Sequence, residues 1–132
     1  MPASSPSEAP ISLSKEQIEI RGLKWGPMHV SFERWPPGDF SPLCKGLPDD
    51  LCQVPHWGVC LKGKGYLITR EGRELITAGM AFYAPPGHSI SVLETMETIE
   101  FSPSGEEIDR TTEVLTRNLS TWRAEGGAQQ AQ

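Results

Sequence analysis

The sequence predicts an all-β fold, a sandwich or small barrel of short strands closed by a single C-terminal helix. Three observations carry that prediction. There are 13 glycines and 12 prolines in 132 residues, more chain breakers than helix interiors tolerate, which excludes an all-α bundle. Apolar and polar residues alternate with period two in short runs bounded by Gly, Pro or charged turns, the signature of half-buried strands. The one stretch with helical spacing lies at the end of the chain. The length fits one domain, and a 37% hydrophobic content fits one core.

In chain order, residues 1–14 are rich in Ser, Pro and Ala and read as a disordered leader. Strand-like runs follow at 18–21 and at 30–35, the latter ending in the Pro36-Pro37-Gly38 turn. Six more fall at 56–61, 66–69, 75–77, 81–84, 90–93 and 98–101. Ser104 with Glu107 three residues on matches a capping box, in which each side chain satisfies an orphan backbone donor. Beyond it Ile108, Leu115, Leu119 and Trp122 fall on one helical face, which suits a helix packed on the outside of the barrel. The domain is therefore expected over 15–123, with 124–132 a disordered tail.

Twelve basic against seventeen acidic residues leave a net charge of −5. An affinity built on phosphate contacts needs clustered Lys and Arg, so no nucleic-acid partner is expected. No apolar run approaches the ~18 residues of a membrane span, so no membrane partner is expected either. The first residues lack the basic and apolar segments of a secretory signal. Three cysteines, Cys44, Cys52 and Cys60, are an odd number that suits reduced thiols, and a cytoplasmic location is expected.

Two segments say more than composition. Residues 79–87 read GMAFYAPPG, a turn glycine, a five-residue strand and then Pro-x-Gly. Residues 61–65 read LKGKG, where two glycines permit a tight reversal between strands. Together they resemble the cupin family, in particular its small single-domain bacterial members. The second motif of that family, G-x5-P-x-G, matches Gly79 to Gly87, and the frame of the first motif ends at Gly63. The resemblance implies an antiparallel, jelly-roll-like β-barrel with a ligand cavity at its mouth and pairing into a homodimer. Many relatives hold a divalent metal there through two histidines and a glutamate from the first motif and a histidine from the second. Here the pattern departs from that set. The first-motif ligand positions fall on Asp50, Cys52 and His56, and the second-motif histidine position is Ile90. His88 lies two residues earlier and, by strand parity, on the same face as Ile90.

Cys52, His56 and His88 are the candidate metal ligands. In a regular strand Cys52 and His56 would stand about 13 Å apart, too far for one ion, so a bend at Pro55 is required. Sulfur with imidazole suits zinc first, then iron or copper. Asp50 and Glu94 are the catalytic acid–base candidates, Glu94 because it shares the parity of His88, with Glu97 facing solvent. Trp57 and Phe82 are candidates for contact with a small organic substrate, Phe82 pointing opposite to Tyr83. Cys60 reads as core, Cys44 as an incidental loop thiol, and His29 as structural or surface. Arg34, Lys62 and Arg70 are either anion ligands or solvated strand residues. The resulting expectation is a metal-centred cupin acting on a small molecule as a dioxygenase, isomerase, cyclase or lyase. The alternative is a metal-free binding or accessory module, and a purely structural dimer is a third reading.

Overall fold

A computed structural model describes residues 3–122. Eight strands, β1 (Ile11–Lys15), β2 (Ile18–Trp25), β3 (Met28–Trp35), β4 (Gly38–Asp39), β5 (His56–Thr69), β6 (Gly72–Thr77), β7 (Ala81–Ala84) and β8 (Ser89–Pro103), precede one helix, α1 (Glu106–Leu119). They form one antiparallel sheet in the order β1-β2-β3-β8-β5-β6, with β4 added to β8 and β7 to β5. The architecture is a cupin β-barrel with a C-terminal helix.

Two long strands build the curl. Over one half of its length β8 pairs with β3 (Met96 to Pro103), and over the other half with β4. Likewise β5 pairs with β7 through residues 56–59 and with β6 through 64–69. At the corner between the halves the β5–β8 register shifts three times, between Cys60 and Gly65, and such bulges bend and twist a strand. Gly63 sits in this corner with φ +81°, and a Cβ there would collide with the Thr95 carbonyl oxygen. The expected reversal at Gly63 and Gly65 is thus a bend inside one continuous strand. The separate runs at 56–61 and 66–69 belong to β5, and those at 90–93 and 98–101 to β8.

The main core holds Ile18, Trp35, Phe40, Leu43, Cys60, Val92, Met96, Leu119 and Trp122, among others. Trp35, Phe40 and Trp122 pack ring on ring at centroid distances of 4.7 and 4.8 Å. The α1 helix lies across the barrel mouth, where Val114, with Ile108 and Leu115, covers Cys44, Leu47, Cys52 and Val54. Lys15 fastens its far end: Nζ donates to the carbonyls of Leu119 (2.6 Å), Ser120 (2.9 Å) and Trp122 (3.2 Å). A cation at a helix C-terminus meets both orphan acceptors and the negative end of the dipole.

Two expectations change here. Residues 5–14 of the expected leader are structured: Pro6–Glu8 forms a 3-10 turn and 11–15 is a strand. The reason is a small second core, in which Ala9, 2% exposed, packs with Val30 and Phe32 on the outer face of β3. Arg21 ties the segment down by donating from Nη1 to the Ala9 carbonyl at 3.1 Å. The capping box is absent: the N-cap is Gly105, and the buried Ser104 hydroxyl has no hydrogen-bond partner. Glu106, Glu107 and Asp109 in the first turn favour the helix start through the dipole instead. The tail expected at 124–132 lies outside the described residues. Among the described residues no helix is long and apolar enough to cross a membrane.

Candidate metal centre

The site begins where the chain enters β5. Cys52 forms a two-residue bridge with His88, its N–H donating to the His88 carbonyl at 2.9 Å. The chain then turns through Val54 and Pro55, so that His56, the first residue of β5, comes back over Cys52. The required bend is therefore present. Cys52 Sγ lies 3.8 Å from His56 Nε2, the His56 and His88 rings meet edge to face at 4.9 Å, and one donor atom from each of the three residues lies within 4.8 Å of the others.

The second atoms of both imidazoles are engaged. His88 Nδ1 donates to the Pro85 carbonyl at 2.7 Å, which leaves Nε2 with a free lone pair. His56 Nδ1 bonds the Ser102 hydroxyl at 2.6 Å. Such outer contacts fix the tautomer and orientation of metal-binding histidines. Burial, with the neighbouring His56, lowers His88 to about 4, and burial also lowers His56, so both rings are neutral and able to ligate. Burial pushes the Cys52 thiol up to about 12, so the thiolate forms only when a cation compensates it. Two nitrogens and one sulfur on a common point fit a borderline-soft divalent metal held by three protein ligands with a position left open. Cys52, His56 and His88 could hold a metal.

Beside these residues a cavity of about 340 Å³ opens into the barrel. Its wall carries three acids that are absent from the sequence-based set, Asp109 of α1 and, on the strands, Glu33 and Glu100. Glu33 accepts hydrogen bonds from Ser31 Oγ (2.7 Å) and Trp35 Nε1 (2.8 Å), and Glu100 from Thr98 Oγ1 (2.7 Å). They stand on adjacent strands, Ser31 pairing with Glu100 and Glu33 with Thr98. Burial and the nearby Glu100 raise the Glu33 carboxyl to about 7, and burial also raises Glu100. Two carboxyls close together and away from water oppose each other's ionisation. Gly58 makes room for Glu100 and Phe82, because a Cβ there would meet Phe82 Cζ at 2.7 Å and Glu100 Cγ at 3.0 Å.

The other expected residues divide. Phe82 lines the cavity and Tyr83 points outward, as their alternation requires. Trp57 is 47% exposed and stacks on Tyr83 on the outer face at 5.2 Å, so it is not on the cavity wall. Glu94 shares the parity of His88, but the corner bulges turn it outward, where it pairs with Lys64 Nζ at 3.2 Å. Asp50 lies in the exposed 3-10 turn Pro48–Asp50 and accepts from the Gly46 N–H at 3.0 Å, away from the cavity. Neither expected acid–base residue therefore reaches the cavity wall. His29, expected to be structural or at the surface, lines the cavity over Gly22, where a Cβ would come within 2.8 Å of its Nε2. Cys60 is fully buried core, whereas Cys44 is a buried wall residue and not an incidental loop thiol.

No family model matches the chain, and no curated protein matches it in sequence. Solved structures do match. The polyketide cyclase RemF of Streptomyces resistomycificus superposes with a TM-score of 0.56 at 14% identity, over 78% of this chain and 79% of that one. An RmlC-like cupin from Shewanella frigidimarina gives 0.57 at 14% identity, over 80% and 93%. A tryptophan-to-phenylalanine variant of the oxalate decarboxylase of Bacillus subtilis gives 0.56 at 18% identity, over 78% of this chain but 29% of its own. At these identities the likeness shows the fold, which is that of the cupins.

Proposed function

We propose that this protein is a metal-dependent cupin that holds one zinc ion on Cys52, His56 and His88 and acts on a small organic molecule in the adjoining cavity. The observation that carries the reading is the convergence of three donor atoms within 4.8 Å at the cavity wall. A thiolate with two imidazoles favours zinc over iron or copper. A zinc ion supplies a redox-inert Lewis acid that polarises a bound oxygen or activates water, which favours isomerase, cyclase or lyase chemistry over dioxygenation. The chain's own part is positional and protonic. Ser102 and the Pro85 carbonyl orient the two imidazoles, and α1 covers the mouth against water. Glu33 and Glu100, both raised by burial, can give a proton to a substrate or take one from it.

Elemental analysis of protein purified without chelator tests the centre. The expected result is about one zinc per chain, lost in Cys52→Ala, His56→Ala and His88→Ala. Zinc retained in all three variants, or none taken up by the wild type, overturns the assignment and leaves a metal-free binding barrel.

A second proposal concerns the partner. Trp57, Val59 and Leu61 on β5, Tyr83 on β7 and Phe101 on β8 are exposed on the outer face of one half of the sheet. Contiguous apolar surface of this kind marks an interface, and a second copy of the chain is its proposed occupant. Sedimentation should give a dimer that Val59→Arg converts to monomer; a monomeric wild type refutes it. The three cysteines are free and buried, which supports the cytoplasmic assignment as a proposal.

A further inference from the structure

The wall of the cavity beside the three candidate ligands carries acids. Glu33, Glu100 and, from α1, Asp109 lie on its wall, and among the described residues no Lys or Arg does. Cations of the neighbouring strands and turns lie outside the wall: Arg34 pairs with Glu19, Lys62 with Glu97, Lys64 with Glu94 and Arg70 with Asp49, and Arg73 lies over the Tyr66 ring. The imidazoles of His29, His56 and His88 also lie on the wall, His56 engaged with the Ser102 hydroxyl and His88 with the Pro85 carbonyl.

The two inner acids are fixed and not spent. Ser31, Trp35 and Thr98 hold them from the strands on which they stand, and a carboxylate oxygen accepts more than one hydrogen bond. Around them the wall is mainly apolar, with Phe40, Phe82 and Met96 among its residues. In such surroundings an added anion is opposed by both desolvation and like charge, whereas a donor group is attracted.

We propose that the cavity selects an uncharged or cationic small molecule that presents hydroxyl, amino or amidine-type donors to Glu33 and Glu100, and that it rejects carboxylates and phosphates at that end. This rests on the reading of the cavity as the substrate site of the metal centre, and it names the class of substrate. The likeness of fold to an oxalate decarboxylase thus does not extend to a small diacid. Any group of the substrate that prefers a metal is left for the Cys52, His56 and His88 end.

Three probes of one shape and different charge test the idea: benzamidine, benzamide and benzoate, titrated calorimetrically into the full chain before and after chelation. Chelation removes any metal on which benzoate could dock. In the chelated chain benzamidine should bind about tenfold or more tightly than benzoate, with benzamide between them. The double substitution Glu33→Gln, Glu100→Gln should bring the three to near equality. If that variant does not fold, the wild type still decides: nuclear Overhauser contacts from bound benzamidine to Phe82 and Trp35 are expected, and their absence overturns the proposal. It is also overturned if benzoate binds the chelated chain as tightly as benzamidine, or if no probe binds up to its solubility limit. The two readings separate by zinc content. Zinc taken up with benzoate preferred after chelation refutes the substrate class alone, and benzamidine preferred with no zinc taken up refutes the metal centre alone.

Discussion

The inward faces of β3, β5 and β8 change character along their length. Towards the mouth they carry Ser31 and Glu33, His56 and Gly58, and Thr98, Glu100 and Ser102. Past that point the same strands turn in Trp35, Cys60, Met96 and Val92, which pack against Phe40 and Trp122. The outward faces reverse in step. Beside the polar stretch they show Val30 and Phe32, Trp57 and Val59, and Phe101. One half of the barrel is thus an ordinary apolar interior, and the other is turned inside out, polar within and apolar without. Buried polar groups cost stability unless they are paired. Here they are paired laterally, by Ser31, Trp35, Thr98 and Ser102. The apolar half stabilises the fold; the polar half is maintained at a cost that a binding site would justify.

Substitutions should separate the halves. Met96→Ala removes a side chain only 2% exposed in the apolar half, and should cost about 2–5 kcal/mol in denaturant unfolding while leaving metal uptake in the native fraction unchanged. Gly58→Ala inserts a methyl between Phe82 and Glu100. It should cost about 1–3 kcal/mol and weaken benzamidine binding, the effect of overfilling the polar half; unchanged stability and binding would contradict the close packing described there.

Glu33→Gln acts through pH. The folded carboxyl titrates higher than the unfolded one, from 4.5 to about 7, so its contribution is fully present below pH 4.5 and is lost as pH rises through 7. His88, lowered from 6.5 to about 4, works in the opposite sense: its contribution is present above 6.5 and lost as pH falls. The contributions of these two groups should therefore largely cancel between the two pH values. In Glu33→Gln it should rise with pH by on the order of 2 kcal/mol over that window. Parallel curves for the two proteins would show that Glu33 titrates normally. The smallest effect belongs to Glu94→Ala, which loses only an exposed pair with Lys64. A change below about 0.5 kcal/mol and unaltered zinc content are expected, whereas loss of zinc or of turnover would restore Glu94 to the site.

The clustering of Cys52, His56 and His88 was foreseen through their resemblance to the ligand positions of the cupin motifs, with Pro55 supplying the bend that their spacing requires. Glu33 and Glu100 were not, because alternation shows that two faces differ and not which one is inside. In β3, the pattern of Val30, Ser31, Phe32 and Glu33 reads most simply with the apolar residues inward. The one available hint was Glu100, whose parity matches His56 and Cys60 once β5 and β8 are paired, and that pairing is not written in either strand. Glu94 failed for a related reason, since strand parity holds only until a bulge breaks it.

The residues by themselves determined the class of fold, the final helix and the buried Cys60, because breaker content, periodicity and turn chemistry act over a few residues; Cys52, His56 and His88 were singled out through the resemblance to the cupin motifs. Tertiary structure alone decided which face of β3 and β8 is interior, that the N-terminal segment caps an outer apolar patch, and that two carboxyls share one cavity. Those outcomes depend on which strands become neighbours and where the long ones bend, and they are settled by burying the most apolar surface at the least cost in unpaired polar groups across the whole barrel.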